Sequence, residues 1–436
     1  MQQTQEQKKK VSVMNYGCTA NLSIAEGMMG ILRNTGYTIT SSVDEADTVV
    51  VNTCIVKQNT EHRMKSLLLS LAETKEVVVT GCLPVAMQSW VEQHVPAAKI
   101  LFPENADQLP GLLEDIPLVN TSWEDPVDWA RLYDAPRIRF NPVVGNIEIS
   151  RGCLGQCTFC IVKSTKGHLR SRSPDNILHE IKIALTTGVK EIRLTSQDVG
   201  PYGWDLRPRQ DITSLLCSIA TLPEQFFVRL GMMTPKSVAR YIDPLIEQLM
   251  QEKIYTHLHL PIQSGANSIL RAMRRLETAK YFTDLVHHLR EEVPMFTLAT
   301  DVIVGFPGES PQDYAATRNL LKEVRPAIVN LSKYTDRPGT SAAQMGNKVP
   351  SHIKAKRSQE IGTLIRQITY SELKKWVGWE GTMLINERGK YPDQFVGRNS
   401  SYLPVVLSGG NLKLGDFIQV QIIDAGPTYL MGEEKR

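Results

Sequence analysis

The sequence predicts an α/β chain in three parts: an open parallel sheet with helices on its faces, a partial barrel of six strand–helix units, and a small antiparallel β-barrel. Three observations predict it. Short β-branched runs alternate with helical stretches through the first hundred or so residues. The alternation resumes with a longer period beyond a stretch rich in Pro, Asp and Trp at 117–138, which reads as a linker. After Tyr370 the pattern changes to short apolar segments punctuated by glycine. Strands that alternate with helices argue for parallel sheets covered by helices. A length of 436 residues suggests two or three domains.

Composition narrows the class. A net charge of +3 is close to neutral, so any contact with nucleic acid has to come from local patches rather than the overall field. Seven cysteines are too few for a disulfide framework, and no apolar signal precedes them. No segment reaches the roughly 18 unbroken apolar residues of a membrane span. These features predict a soluble protein of a reducing compartment, with the polar first ten residues as a frayed tail.

The first part contains β-branched runs at 11–16, 47–52 and 76–80, and a fourth at 99–102. Each of the first three leads into a cysteine: Tyr16-Gly17-Cys18, Asn52-Thr53-Cys54 and Thr80-Gly81-Cys82. Open parallel sheets bind ligands outside the carboxyl ends of their strands. Cys18, Cys54 and Cys82, separated by 35 and 27 intervening residues, are therefore expected at one sheet edge. Taken singly each would read as a buried core thiol. Their shared position after a strand favours a three-cysteine cluster site, and Gly17 and Gly81 let the backbone approach a bulky group.

The second part opens with a strand at 146–150, and directly after it stand Cys153, Cys157 and Cys160 in the spacing C-x3-C-x2-C. Three thiolates on a short loop with Gly152 and Gly155 can wrap three corners of a cubane and leave the fourth iron without a protein ligand. Clusters that only carry electrons usually take four cysteines. An open iron is where a small molecule binds. A zinc site would need a fourth Cys or His nearby, for which His168 is the local candidate.

Further strands are expected at 191–195, 226–230, 255–260, 298–304 and 328–334, with helical patterns between them. Ser173-Pro174 signals one helix start, and Gly188 a helix stop. In barrels of this kind active sites gather at the carboxyl ends of the strands. The polar and glycine-rich segments fall there: Thr195-Ser196-Gln197-Asp198, Pro261-Ile262-Gln263-Ser264-Gly265 and Gly305-Phe306-Pro307-Gly308-Glu309. His257 and His259 alternate with leucines, so both should face one side of the barrel, where a satisfied core role outweighs metal ligation. Cys217, within the helical run 212–222, reads as a packing residue. The basic segment 163–172 carries Lys163, Lys166, Arg170 and Arg172 and no acid; it is either a phosphate or carboxylate contact or a solvated loop.

The third part has apolar segments at 382–386, 402–407 and 417–423, a pattern of small β-barrels that often bind oligonucleotides. Eight basic residues there face seven acidic ones, so RNA contacts would be local, with Lys374, Lys375, Arg388, Lys390 and Arg398 as candidates.

These pieces together resemble the methylthiotransferases of the radical S-adenosylmethionine (SAM) superfamily. The resemblance rests on Tyr16-Gly17-Cys18-Thr19-Ala20-Asn21, Asn52-Thr53-Cys54, Thr80-Gly81-Cys82, the run from Arg151 through Cys160, Leu260-Pro261-Ile262-Gln263-Ser264-Gly265, Thr300-Asp301-Val302-Ile303-Val304-Gly305-Phe306-Pro307 and Arg337-Pro338-Gly339-Thr340. It implies a flavodoxin-like amino-terminal domain at 10–118, a radical SAM core forming a partial (β/α)6 barrel at 139–372, and a TRAM-type barrel at 373–436. The segments at 16–21 and 194–203 look most like the archaeal and eukaryotic branch, which acts on N6-threonylcarbamoyladenosine at position 37 of tRNA. One departure is Ile24-Ala25, where the family usually carries an acidic residue and Ser before Glu26.

The resemblance implies two 4Fe-4S clusters, one on Cys153, Cys157 and Cys160 and one on Cys18, Cys54 and Cys82, with no further catalytic residue assigned. SAM bound at the first cluster would yield a 5′-deoxyadenosyl radical, and the second would hold the sulfur to be inserted. Thr195, Ser196, Gln197, Gln263 and Asp301 are candidate SAM contacts, although Asp301 also fits a cap or turn. Lys163, Arg170 and Arg172 join the terminal-domain cations as candidate RNA contacts. The expected partners are the tRNA anticodon loop, an electron donor of flavodoxin or ferredoxin type and a sulfur source, with no membrane and a cytoplasmic location. Two other substrates stay open, isopentenyladenosine in tRNA and a ribosomal-protein aspartate. So does an iron–sulfur electron-transfer or scaffold protein.

Overall fold

The computed structural model describes residues 9–56, 58–119, 132–409 and 411–435. Most of the expected tail (1–8) and the middle of the expected linker (120–131) lie outside the described residues. The chain forms two compact units that interleave in sequence. The first contains residues up to Phe140 with Asn146–Cys153 and Ile161–Arg172; the second contains Asn141–Gly145, Leu154–Cys160 and Ser173–Arg436.

In the first unit the runs β1 (Lys10–Asn15), β2 (Thr38–Ile39), β3 (Thr48–Thr53), β4 (Glu76–Gly81) and β5 (Lys99–Ile100) form one parallel sheet in the order β2-β1-β3-β4-β5. This is the flavodoxin-like order. Valines explain why these residues make a buried sheet: Val49, Val50 and Val51 are all fully buried, as strands covered on both faces require. Val11, Val13, Val50 and Val78 pack beneath α1 (Thr19–Asn34). Val49, Val51, Val77 and Val79 face the other layer, with residues of α2 (Gln58–Ala72) and α3 (Cys82–His94). Ile24 and Ala25, the departure from the family pattern, sit in the first of these cores. A short helix, α4 (Leu109–Leu113), follows β5. Strand β6 (Val144–Glu148) leads from the second unit into the first, where β7 (Ser150–Arg151) pairs antiparallel with β8 (Arg170–Ser171), and α5 (Val162–Lys166) lies between them in sequence.

In the second unit β6 is followed by β9 (Glu191–Thr195), β10 (Phe227–Leu230), β11 (His257–His259), β12 (Thr297–Val304) and β13 (Ile328–Lys333). They form two three-stranded sheets, β10-β9-β6 and β11-β12-β13. The parallel bridges Val228↔Ile254 and Met232↔His259 connect the two, which gives the six-stranded partial barrel. The intervening helices are α6 (Pro174–Thr186), α7 (Ile212–Ala220), α8 (Pro235–Val238), α9 (Ile242–Leu249), α10 (Asn267–Ala272), α11 (Ala279–Glu292) and α12 (Pro311–Val324). Their starts carry local signals: the Ser173 side chain accepts from Asn176 N, and Asp211 and Ser310 form capping boxes. Gly188 stands just past the C-cap of α6 at φ +94°, as a helix stop does. Cys217 is not a packing residue. Ile212, Leu215, Leu216 and Ile219 occupy the buried face of α7, and position 217 falls on the outer face, exposed.

Helix α13 (Ser351–Lys374) leads to a closed barrel of β14 (Glu380–Arg388), β15 (Gln394–Asn399), β16 (Pro404–Ser408), β17 (Phe417–Ala425) and β18 (Leu430–Glu434), in the order β14-β15-β16-β18-β17. Its core includes Met383, Ile385, Phe395, Val405, Val420 and Leu430. Within the second unit, Thr256 N donates to Ser400 O at 2.9 Å, and Phe227 and Tyr255 pack with Leu384.

Candidate cysteine-cluster sites

The first unit brings Cys18, Cys54 and Cys82 to one edge of its sheet. Register sets this: Asn15 of β1 is opposite Asn52 of β3, and Thr53 of β3 is opposite Gly81 of β4. All three strands therefore end together, and each cysteine follows. The β1/β3 pair is where the strand order reverses, the usual ligand position in such sheets. Cys18 is the N-cap of α1 and Cys82 the first residue of α3. Cys18 is exposed, Cys54 half-buried and Cys82 buried.

Side-chain amides and hydroxyls fix the loops that carry these thiols. Asn52 Nδ2 donates to Asn15 Oδ1 at 3.0 Å and to Asn21 O at 2.7 Å. Asn21 Nδ2 donates to Thr53 O at 3.0 Å and points at Cys82 Sγ, 3.9 Å away. Leu83 N donates to Thr53 Oγ1 at 2.9 Å, and that hydroxyl donates to Thr80 O. The glycines are tight: a Cβ on Gly17 would lie 2.3 Å from the Asn21 side chain, and one on Gly81, at φ +86°, 2.5 Å from Thr53 N and O. Crowding by protein atoms pushes the Cys18 thiol up even though it keeps solvent access, and the Lys166 ammonium is the largest influence pulling it down. Lys166 itself is buried, with no hydrogen-bond partner for Nζ among the described residues.

The other three cysteines share one stretch of sequence along which the chain passes between units. Cys153 belongs to the first unit and Cys157 and Cys160 to the second; all three are half-buried. In the first unit Cys153 N donates to Gly167 O at 3.2 Å, and Gly152, at φ +84°, leaves no room for a Cβ, which would fall 1.9 Å from His168 O. The same unit carries a buried ion network just before Cys153 in sequence. Arg151 donates to Glu148 through Nη2 at 2.9 Å and faces Glu104 at 3.4 Å, and the Tyr133 hydroxyl also donates to Glu148. Burial works to raise the Glu148 carboxyl, yet the Arg151 guanidinium prevails and holds it below the usual range.

In the second unit Thr158 N donates to Met273 O at 3.1 Å and its hydroxyl to Ala272 O at 2.9 Å, at the end of α10. Arg275 follows. Its Nη1 stands 3.7 Å from Cys157 Sγ, its Nη2 donates to Pro261 O at 2.6 Å, and Glu277 balances its charge. No reading of the sequence singled out Arg275, because nothing local marks an arginine 118 residues from its thiol. Among the described residues no three His, Cys, Asp or Glu side chains gather around a point suited to a single metal ion. The first unit instead offers three thiols held separately on the ends of three neighbouring strands, with the buried Lys166 acting on Cys18, a donor set that suits a polynuclear, anionic group.

The expected SAM contacts stand at strand ends of the second unit. Thr195 ends β9, and Ser196 and Gln197 follow it, all three buried. The next residue clamps them: Asp198 Oδ1 accepts from Gly200 N and Thr234 N, each at 3.1 Å, and its Oδ2 accepts from Thr234 Oγ1 at 2.9 Å. Burial raises the Asp198 carboxyl, and these donors work against the rise. Gln263 has φ +76°, and its backbone bonds to β12 through Asp301 O and Ile303 N, each at 2.9 Å. Asp301 is neither a cap nor a turn residue. It lies within β12, and its Oδ1 is 2.9 Å from His259 Nε2 and accepts from Asn330 Nδ2 at 2.8 Å. His257 is fully buried, its proton affinity lowered by burial and then by Arg229, so it is a neutral core residue. Glu309 accepts from Gly305 N at 3.0 Å, which makes Gly305 part of a fixed turn.

The expected RNA contacts divide. Arg172 does not fit that role: it is 1% exposed, donates to Glu148 O at 2.8 Å and lies over the Tyr133 ring, because the buried network claims its guanidinium. Lys163 and Arg170 are half-buried. Lys374, Lys375, Arg388 and Lys390 are exposed, and Arg398 is half-buried with an ion pair to Glu387 at 2.9 Å. Among the described residues no helix is long and apolar enough to cross a membrane.

Comparison with known proteins adds sequence relatives over the whole chain. Residues 147–321 match the radical SAM superfamily, 10–103 the uncharacterized protein family UPF0004 and 374–434 the TRAM domain. A "probable threonylcarbamoyladenosine tRNA methylthiotransferase" of Methanothermobacter thermautotrophicus is 36% identical, with 97% of this chain and 99% of the relative covered. One of the same name from Pyrococcus horikoshii is 35% identical over 97% and 99%. The human threonylcarbamoyladenosine tRNA methylthiotransferase is 31% identical over 98% of this chain and 74% of its own. Among solved structures, the radical SAM methyltransferase TsrM of Kitasatospora setae, with cobalamin and a [4Fe-4S] cluster bound, is similar in fold. Its TM-score is 0.55 at 14% identity, over 77% of each chain.

Proposed function

Since the chain belongs to the threonylcarbamoyladenosine tRNA methylthiotransferase family of radical SAM enzymes, we propose that it replaces the hydrogen on adenine C2 of N6-threonylcarbamoyladenosine, at position 37 of tRNA, with a methylthio group. The observation that carries this reading is the pair of three-cysteine sets in a chain that aligns end to end with relatives of that name. The relatives' names favour this substrate over isopentenyladenosine and a ribosomal-protein aspartate, and the radical SAM domain favours an enzyme over an electron carrier.

On this reading Cys153, Cys157 and Cys160 hold one 4Fe-4S cluster and Cys18, Cys54 and Cys82 the other. When bound, the cluster and SAM supply a 5′-deoxyadenosyl radical able to take hydrogen from an unactivated carbon. The protein's own groups position and insulate. Arg275 places a guanidinium 3.7 Å from Cys157 Sγ, a fixed positive charge beside one of the sulfurs that would hold the cluster. Asp198 holds the 195–197 segment so that Thr195, Ser196 and Gln197 present fixed polar atoms to SAM, joined by Gln263 and Asp301. His259 and Asn330 fix the Asp301 carboxylate in one orientation.

The functional parts are assigned to 10–118 for the sulfur site, 139–372 for SAM cleavage and 373–436 for RNA. Lys163, Arg170, Lys374, Lys375, Arg388, Lys390 and Arg398 are the proposed RNA contacts. The anticodon loop suits such an enzyme because its bases can be splayed out singly. A threonylcarbamoyl group adds a carboxylate and a hydroxyl that need polar or basic partners once buried. The enzyme works in the cytoplasm with a flavodoxin- or ferredoxin-type donor and a separate sulfur source.

The test is mass spectrometry of tRNA nucleosides from cells with and without the gene. The expected result is loss of 2-methylthio-N6-threonylcarbamoyladenosine with N6-threonylcarbamoyladenosine retained. Methylthiolation of isopentenylated tRNA by the purified enzyme would overturn the substrate assignment.

A further inference from the structure

Lys166 is the last residue of α5, in the first unit, and it is 2% exposed. Its ammonium has no hydrogen-bond partner among the described residues. A buried, unpartnered ammonium carries a desolvation cost of several kcal/mol in ordinary circumstances. Nothing in its own helix relieves this, because Lys163 is a second cation. Glu148 is an acid on which Lys166 acts, and that carboxylate already takes Arg151 and the Tyr133 hydroxyl. Cys18 also feels Lys166, as the largest influence that lowers its thiol.

Packing gives the same location by a separate route. Ile161, immediately before α5, shares an apolar cluster with Cys82 and Leu83 at the start of α3. Gly167, immediately after Lys166, accepts the backbone N–H of Cys153 at 3.2 Å. The amine is thus held, on a short helix pinned at both ends, beside the edge that carries Cys18, Cys54 and Cys82.

We propose that Lys166 is the fixed positive charge of the amino-terminal thiol site, a positioning residue that offsets the negative charge of thiolate-ligated iron–sulfur species and of sulfur anions held there. The inference rests on the reading of Cys18, Cys54 and Cys82 as cluster ligands. A cubane with three thiolates is anionic and becomes more so on gaining an electron, so a buried cation favours the reduced form. Nearby charge and hydrogen bonding are among the levers that set cluster potentials.

The experiment uses the full chain with Cys153, Cys157 and Cys160 changed to Ala, reconstituted anaerobically, so that only the amino-terminal cluster remains. In this background Lys166→Met and Lys166→Arg are compared with Lys166 by iron content, thermal unfolding of the apo protein and a dithionite-poised redox titration followed by electron paramagnetic resonance. About four irons per chain are expected with Lys166 in place. Met should disfavour one-electron reduction at least tenfold, which is about 59 mV to lower potential, while Arg stays near the parent. The apo Met variant should unfold no earlier than the parent, since it loses an unpaired buried charge. A Met variant with the parent's potential overturns the inference. So does a Met variant whose apo protein is destabilised with an unchanged potential, which would make Lys166 a structural partner of Glu148. If Met binds no iron and Arg does, the charge is needed to hold the anion and the inference stands; if neither binds iron, it falls. Absence of iron with Lys166 intact would sink the amino-terminal cluster reading instead.

Discussion

Glu26 sits within α1, two turns past Cys18, where its Oε1 accepts from Phe140 N at 3.3 Å and from Asn146 Nδ2 at 3.4 Å, while Oε2 has no hydrogen-bond partner among the described residues. Burial pushes its carboxyl from an ordinary 4.5 up to about 7, against the pull of Arg137 and Arg139. Because the folded value is the higher one, the folded protein binds more protons between pH 4.5 and about 7. Stability from this site is therefore complete below 4.5 and is lost as pH rises through 7. A rise of that size corresponds to about 3 kcal/mol. Glu26→Gln, which keeps the acceptor and removes the charge, should flatten this slope and raise stability at pH 8 by about 2–3 kcal/mol. Urea unfolding of the apo protein from pH 5 to 8 checks it, and parallel pH profiles for parent and variant would sink the account. The carboxylate's position was legible in the sequence but its burial was not. That depends on the packing of Arg137, Phe140 and Asn146 against α1, a pairing across more than a hundred positions that no local pattern encodes.

Among the elements, the strand-to-helix turns of the first unit were the most readable, because valine-rich runs that end at Asn-Thr-Cys or Thr-Gly-Cys carry their own punctuation. What the sequence left unread was pairing. The segment 163–172 reads in sequence as a basic stretch of the second part, yet it packs with the first unit, placing Lys166 near Cys18 and turning Arg172 inward. Cys217 was misread for a related reason: a short helix has few apolar residues, and its buried face is settled by what packs on it. The glycines give a direct test of element geometry. Gly81 and Gly188 both have positive φ, +86° and +94°, but an added Cβ meets Thr53 backbone at 2.5 Å in the first case and nothing within 4 Å in the second. Gly188→Ala should cost about 1–2 kcal/mol, the strain of the backbone alone. Gly81→Ala should cost more than about 3 kcal/mol, since strand β4 must move away from β3, and it should lower iron bound at the amino-terminal site. Equal losses from the two variants, read by denaturation and iron content, would show that the close approach at Gly81 is not what matters.

Across the whole molecule, charge is sorted more finely than its near-neutral total implies. Several cations of the terminal barrel and its approach are already engaged: Lys375 pairs with Glu372, and Arg398 with Glu387. Arg388 and Lys390 differ. Both are exposed, and each lies over an aromatic ring, Phe395 at 5.5 Å and Tyr391 at 5.6 Å. Phe395 is a core ring and leaves the Arg388 guanidinium outermost, whereas Tyr391 is exposed, and a cation beside an exposed ring suits single-stranded RNA, where phosphate attraction and base stacking act together. Phosphate contacts appear as a dependence of affinity on salt, with a slope of about 0.7 per neutralised charge for a single strand. Changing Arg388 and Lys390 together to Ala should therefore reduce the slope by about 1.4 and weaken tRNA binding most at low salt. Changing Lys375 and Arg398 together should reduce it less, because Glu372 and Glu387 already offset those charges. Reductive cleavage of SAM should be unchanged in both variants, since none of the four residues belongs to a cysteine site or to a strand end of the six-stranded partial barrel. The measurement is tRNA affinity by filter binding across a range of potassium chloride, with 5′-deoxyadenosine formation followed in parallel. An unaltered slope in the Arg388 and Lys390 variant would remove the β14–β15 turn from the RNA surface. A slope reduced only in the Lys375 and Arg398 variant would move that surface to the end of α13.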